Sequence, residues 1–443
     1  GYNYESVGVA LLGNYATARP SSAMLTALTQ LLVWRLDIAH IPPIGIVTMK
    51  TGPGNDHHAA GTFVKFNRIA GHRDASYTTC PGAYVYRDMT WIRNKVNSMG
   101  RPKIYTPMLD SVNLRPDGDT KNEMIRFTAG FSGTVNWTLS FVDPKGVVQR
   151  TFTGTGSAVK QYWAAATVAG PLAPNGLYTW KLDARDSTGH VATGASGTLN
   201  IVTTHPDGTL LQDATGKYVI DGGAARSVDP IAYASNFGTL PAVQTGPKER
   251  ARYTTGQALG LRNGTLLTGP GGTTHYIWSD GAVHKFSTSP TDTFTSLGYK
   301  AAASIAVAQI YIDALPQGDD VTDVNQHPNG TLVKSAVNGK NYVVDSGKLR
   351  PISALAQASL YRSTEVVPTK PGDLVLLLGT AVPVRDGTVI KATDGGTPWV
   401  VADGTKHRLV SWNFTTLMGY TSSMMLTATS TDINAIPTGA RIG

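Results

Sequence analysis

A glycine-led turn, Gly-Thr-Leu or its equivalent, begins at Gly208, Gly264, Gly330 and Gly387, at offsets of 56, 66 and 57 residues. Each is followed by an aromatic-led apolar run: Tyr218-Val219-Ile220-Asp221, Tyr276-Ile277-Trp278, Tyr342-Val343-Val344-Asp345 and Trp399-Val400-Val401. A basic residue comes next, namely Arg226, Lys285, Arg350 and Arg408. Two copies carry Leu297-Gly298-Tyr299 and Met418-Gly419-Tyr420, and two end on Pro316-Gln317-Gly318 and Pro437-Thr438-Gly439. A period of this length marks a tandem array. Each unit reads as a β-hairpin or meander plus a short helix. A unit that small cannot bury both faces alone and must pack on its neighbours. Residues 204–443 are therefore expected to be four β-rich tandem repeats.

Two other textures precede them, in keeping with the soft prior of about three domains for 443 residues. Residues 1–100 alternate strand and helix patterns. Ser6–Leu12 reads as a short apolar strand closed by Gly13-Asn14. Ser21 or Ser22 caps a helix whose apolar positions Met24, Leu25, Leu28, Leu31, Leu32 and Leu36 recur at helical spacing, and Pro42-Pro43 ends it. Ile44–Thr48 is strand-like, and a second helix from Ala83 carries Val85, Met89, Ile92 and Val96. Over 101–203 the period becomes two, as in Trp137, Leu139, Phe141 and in Tyr178, Trp180, Leu182, with turns at Asp143-Pro144-Lys145-Gly146 and Asp186-Ser187-Thr188-Gly189. That pattern predicts an antiparallel β-sandwich. The fold class expected is multidomain α/β plus all-β.

Composition removes several function classes. The net charge is +8 and only 15% of residues are charged, against roughly 25% for an average soluble domain. No Lys/Arg cluster points to nucleic acid. The single cysteine rules out a disulfide framework within the chain. No apolar run is long enough to span a bilayer, and the best candidate, Met24 to Ile41, is interrupted by Arg35 and Asp37. The first residue is Gly1 and no signal peptide follows, so the chain is expected to be processed, cut or incompletely known at its start.

The chemistry-bearing stretch is Gly71-His72-Arg73-Asp74 followed by Thr78-Thr79-Cys80-Pro81-Gly82. Here the sequence resembles the type 2 N-acetylmuramoyl-L-alanine amidases, the family that includes peptidoglycan recognition proteins. Ser6–Tyr15 and the helix containing Trp91-Ile92-Arg93 add to the match, which covers about residues 1–97. The resemblance implies an amidase-like mixed sheet with helices, a zinc ion held by His72 and Cys80, Thr78 at the reacting carbonyl, and Asp74 or a backbone carbonyl orienting the imidazole. Its substrate would be the amide between N-acetylmuramic acid and L-alanine in peptidoglycan. Catalytic zinc takes about three protein ligands and keeps one position open for water. In the family the first ligand and a catalytic Tyr or Glu lie upstream of the stretch matching Ser6–Leu12, so the site is expected to need an upstream segment. His57 or His58 could substitute. Taken singly, His72 and Cys80 also read as a core histidine and a buried thiol.

The sandwich region resembles the immunoglobulin-like module found beside bacterial surface enzymes. The repeats resemble a module of secreted actinobacterial and cyanobacterial proteins. Together these imply a secreted, cell-wall-associated protein whose partner is peptidoglycan or another wall glycan, with self-association through the repeats as a further option. The rival reading is a non-catalytic surface protein with a degenerate amidase domain. Tyr218, Tyr276, Tyr342 and Trp399 could stack on sugars or fill cores, and the basic ladder could meet an anionic polymer or simply be solvated. Asp319, Asp320 and Asp323 match no calcium loop and read as a solvated turn.

Overall fold

The computed structural model describes residues 1–100 and 102–443, so the expected boundary at Arg101 falls outside the described residues. The protein is mixed α/β with many small β-sheets. It divides into two compact units. One comprises Gly1–Val112, Met124–Pro171 and Tyr178–Leu199; the other comprises Asn113–Glu123, Leu172–Leu177 and Asn200–Gly443.

In the first unit, helix α1 (Ser22–Ile38) starts where Ser21 accepts a hydrogen bond from the Met24 N–H, a cap worth about 1 kcal/mol. Strands β1 (Ile46–Lys50) and β2 (Phe63–Asn67) form an antiparallel hairpin with Ile46 opposite Asn67. The expected second helix is two, α2 (Ala83–Arg87) and α3 (Met89–Ser98), meeting at Asp88. Leu28, Ile69, Val85, Met89, Ile92 and Val96 make their core. The apolar positions read from the sequence at 85, 89, 92 and 96 are thus the buried ones. Ser6–Leu12 is not a strand: it is irregular, with Val7 and Leu12 exposed. Apolar composition alone does not make a strand when no neighbour pairs with its backbone.

Among the described residues, the all-β part of the chain has six strands: β3 (Ile104–Leu109), β4 (Asn113–Leu114), β5 (Ile125–Val142), β6 (Val148–Trp163), β7 (Gly176–Arg185) and β8 (Ala195–Ile201). β6 runs along one edge of β5, while β3 and β7 share its other edge. Along β5 alternate residues are buried at Ile125, Phe127, Ala129 and Phe131 and again at Val135, Trp137, Leu139 and Phe141, with the exposed Gly133 interrupting the run. That alternation is the pleat of a strand with one face in a core.

In the second unit each repeat is a three-stranded meander. The first has β9 (Leu210–Asp213), β10 (Gly216–Asp221) and β11 (Ala224–Ser227), followed by α4 (Pro230–Asn236), which Asp229 caps. Strands at Thr265–Thr268, His275–Ser279 and Ala282–Lys285 repeat the pattern, as do Leu332–Lys334, Asn341–Asp345 and Lys348–Pro351. The fourth copy uses Val389–Ala392, Trp399–Ala402 and Thr405–Arg408. The second hairpin always turns on two residues of positive φ: Gly222-Gly223, Asp280-Gly281, Ser346-Gly347 and Asp403-Gly404. Such pairs suit the tight turn whose twist matches that of the strands. In every copy the residue before the leading glycine ties this turn down, with Asp207, Asn263, Asn329 and Asp386 accepting from Gly222, Asp280, Ser346 and Gly404 N–H groups.

The repeats pack on their chain neighbours, as the third does on the fourth through Leu332, Val343, Ile390 and Val401, and the first also packs on the fourth. One core joins the first and fourth copies through Leu211, Tyr218, Val389 and Phe414, and another joins the second and third through Ile277, Phe294, Val333 and Val344. Gly208 and Gly387 meet backbone to backbone, since a Cβ on Gly208 would stand 2.0 Å from the Asp386 carbonyl carbon. Gly264 and Gly330 meet in the same way, at 2.1 Å. Contacts exchanged in this reciprocal fashion are those of a two-fold axis. The first and third repeats share His-Pro-x-Gly-Thr at 205–209 and 327–331, and the second and fourth share Leu297-Gly298-Tyr299 and Met418-Gly419-Tyr420, so the array reads as two copies of a repeat pair.

Candidate functional site

The sequence points first to the His72–Cys80 loop. His72–Asp74 form one 3-10 turn after β2. The loop closes on itself: the Arg73 N–H donates to Cys80 O at 3.0 Å, and the Arg73 guanidinium donates to Thr79 O. The Gly82 N–H reaches Thr79 O at 2.9 Å. This closure brings the two motif halves together and leaves His72 and Cys80 exposed. Thr78 Oγ1 accepts from the Cys80 N–H at 3.2 Å, so its hydroxyl braces the loop. Asp74 takes the Gly71 N–H at 2.8 Å and the Tyr86 hydroxyl at 2.5 Å. The bond to Asp74, helped by slight burial, pushes the Tyr86 phenol above its ordinary pKa. Asp74 thus holds the turn rather than the His72 ring.

The His57-His58 segment packs beside this loop. Asn55 accepts from the His57 and His58 N–H groups, the two rings stack at 4.2 Å, and His57 lies 4.4 Å from the Tyr77 ring. Asp56 accepts from the Ser76 hydroxyl, which holds its carboxyl below the usual range. His58 Nε2 is buried and has no hydrogen-bond partner. Even so, among the described residues no set of three ligand atoms gathers around His72 and Cys80. The residues present supply two ligands, one short of a catalytic zinc centre.

A group that could hold a metal ion lies elsewhere. Asp117, Asp119 and Glu123 place carboxylate oxygens within 4.8 Å of one another, with Asp117 buried, Asp119 exposed and Glu123 between. Arg115 lies 2.9 Å from Asp117, and Lys248 lies 3.2 Å from Glu123. A cation there competes with these two side chains. These three residues are not among those the sequence motifs point to, and their only signal is the spacing Asp-x-Asp-x-x-x-Glu.

In the repeats, Tyr218 is fully buried and Tyr276 and Tyr342 are 9% exposed, so all three fill cores. Arg226 and Arg350 pair with Asp221 and Asp345 of their own hairpins at 2.6 and 2.7 Å. Two buried histidines, His205 and His327, also lie outside the residues the sequence motifs point to. His205 sits against Glu249 and Met418 O, and His327 against Asp373 and Leu297 O. Their signal was His-Pro-x-Gly-Thr occurring twice, at 205–209 and 327–331.

No family model matches the chain, and no curated protein matches it. Solved structures give only faint likenesses. Latent PorU from Porphyromonas gingivalis is similar at 14% identity over 24% of this chain and 10% of its own, with a TM-score of 0.20. A Parabacteroides merdae beta-glucuronidase gives 12%, 25%, 14% and 0.17 in the same order. The periplasmic assembly of the ESX-5 inner membrane complex gives 10%, 53%, 94% and 0.13. Likenesses of this size carry no argument about fold or function. Among the described residues, no helix is long and apolar enough to cross a membrane.

Proposed function

We propose that this chain is a secreted, peptidoglycan-directed protein that combines an amidase-like domain, an immunoglobulin-like module and a repeat array. In this reading the 443 residues bind the wall. Hydrolysis of the N-acetylmuramoyl–L-alanine amide requires a third zinc ligand to join His72 and Cys80. The observation that supports the reading is the closed loop, in which Arg73 bonds to both the Thr79 and Cys80 carbonyls while His72 and Cys80 are both exposed. Zinc bound with a full ligand set would polarise the amide carbonyl and activate water. Within that loop, Thr78 fixes Cys80 through its N–H, and Asp74 fixes the turn that carries His72.

The test is elemental analysis of the native chain, followed by incubation with purified cell walls. Expected are sub-stoichiometric zinc that dialysis removes, sedimentation of the chain with the walls, and no release of new L-alanine amino termini. Stoichiometric zinc with amide cleavage, lost in His72→Ala and Cys80→Ser, would show that the chain completes its own site and is the hydrolase. Failure to sediment with walls would overturn the peptidoglycan reading altogether.

A further inference from the structure

The two seams of the repeat array are built alike except where they face a cavity. Between the first and fourth repeats lies a space of about 520 Å³, lined among others by Asp207, Arg252, Tyr253, Asp403, His407 and Arg441. That volume falls within the usual range for small-molecule sites. In the equivalent seam of the second and third repeats, the Asn329 amide donates to Asp280 at 2.9 Å and neutral and acidic groups meet with a proton between them. Asp207 stands where Asn329 stands, and Asp403 where Asp280 stands, as the four hairpin turns establish. Here the donor is missing. Asp207 binds the Gly222 N–H, and the Asp403 carboxylate makes no hydrogen bond or ion pair at all among the described residues.

The cations differ as well. Arg441 replaces Asp320, its register fixed by the matching backbone bonds of Val410 to Ile442 and of Ser287 to Val321. Arg252 replaces Val375, as the pairing of Thr254 with Ala224 and of Leu377 with Lys348 shows. Arg252 is held by the carbonyls of Thr203 and Pro116, and Arg441 by that of Val410 at 3.3 Å. One cavity therefore presents two carboxylates without a donor between them and two braced guanidinium groups. Apolar wall from Pro206, Ile220 and Ile442 lies between.

We propose that this cavity binds a short peptide carrying both a free amino group and a free carboxylate. The ammonium takes the place of the Asn329 amide, between Asp207 and Asp403. The carboxylate meets Arg441 and Arg252. Charge-assisted pairs of this kind are about twice as strong as neutral hydrogen bonds, and guanidinium groups match a carboxylate's geometry. The proposal does not rest on the amidase-like reading, because none of these residues belongs to the His72–Cys80 loop.

Calorimetric titration of the full chain with L-trialanine tests it, alongside N-acetyl-trialanine and trialanine amide. Trialanine should bind one per chain, and each blocked form about tenfold or more weakly. Asp403→Asn should erase the advantage of the free amine, because asparagine tolerates the positive φ of 50° at this turn and leaves the fold intact. Arg441→Ala should erase the advantage of the free carboxylate. Asp280→Asn, in the other seam, should change neither. No binding of trialanine at millimolar concentration, binding indifferent to both blocking groups, or binding of calcium ions in its stead would overturn the proposal.

Discussion

The His205 ring lies between Glu249 and Met418: Nδ1 faces the Glu249 carboxylate and Nε2 faces the Met418 carbonyl oxygen at 2.7 Å. Both ring nitrogens meet acceptors, so the arrangement is satisfied when the ring carries both protons and the carboxylate none. The first repeat supplies the histidine and the fourth supplies the carbonyl. Arg115 reaches the other Glu249 oxygen at 3.4 Å and Leu417 O at 3.3 Å, adding a second cation to the same buried knot. His327, Asp373 and Leu297 O reproduce the clamp between the third and second repeats. The two seams are thus pinned by polar groups at equivalent points.

Removing one member of such a pair leaves a buried charge without its partner, which costs about 3–5 kcal/mol. Glu249→Ala and Asp373→Ala are each expected to destabilise the repeat array by that amount. Urea denaturation, followed by tryptophan fluorescence to which Trp278, Trp399 and Trp412 of the array contribute, reads the loss. A change below about 0.5 kcal/mol in both variants would mean that the clamps are incidental to the packing.

The same groups set an acid limit. Burial works against the Glu249 charge, but His205, Arg115 and Arg252 outweigh it and hold the carboxyl below its ordinary 4.5. Asp373 is likewise held below its ordinary 3.8: burial raises it, and the hydrogen bond and charge of His327 more than reverse this. A carboxyl with a depressed folded pKa contributes stability that is present above its unfolded pKa. That stability is lost as pH falls through the folded value. The melting temperature is therefore expected to hold down to about pH 4.5 and to drop below it. In Glu249→Gln the drop should be shallower from a lower plateau. Equal acid slopes for the variant and the parent would assign the acid limit to other carboxylates.

How far the sequence discloses this arrangement depends on the range of the interaction. Local signals are legible: Ser21 before the apolar spacing of 24–36 marks α1, and a Gly-Gly, Asp-Gly or Ser-Gly pair marks each hairpin turn. The repeat period predicts four meanders because each is short and self-contained. It does not disclose that the first repeat seeks the fourth, since that pairing rests on groups 213 residues apart, as His205 and Met418 are. Ser6–Leu12 misleads for the same reason, as its apolar side chains would need a distant partner strand to become one. In the motif loop, the short span between Arg73 and Cys80 is closed by a backbone bond between those two residues. The geometry of Asp74 is not foretold, because Tyr86 competes for its oxygen from the next helix.

The glycines at the seams give a comparison that separates packing from backbone conformation. Gly208 has φ +81° and an added Cβ would collide with the Asp386 backbone, whereas Gly222 has φ +57° and open space around it. Gly222→Ala carries only the left-handed backbone cost, about 1–2 kcal/mol. Gly208→Ala adds a steric clash with main chain, for an expected loss of about 3 kcal/mol or more. Thermal unfolding of the two variants side by side measures the difference. Equal losses would place the first and fourth repeats farther apart than the backbone contact of Gly208 and Gly387 requires.

Cys80 offers a direct readout of the loop at the candidate site. It is exposed and makes no disulfide, so native protein should take up one equivalent of a thiol-alkylating reagent without denaturant. Added zinc should slow the reaction in the parent chain, because thiolate bound to metal is a poorer nucleophile. His72→Ala should remove that protection while leaving the rate without zinc unchanged. Protection that survives His72→Ala would make the thiol a lone zinc ligand, and the closed loop would then be scaffold with no metal chemistry of its own. Protection lost only when His57 or His58 is also replaced would instead name the adjacent stacked pair as the source of the third ligand.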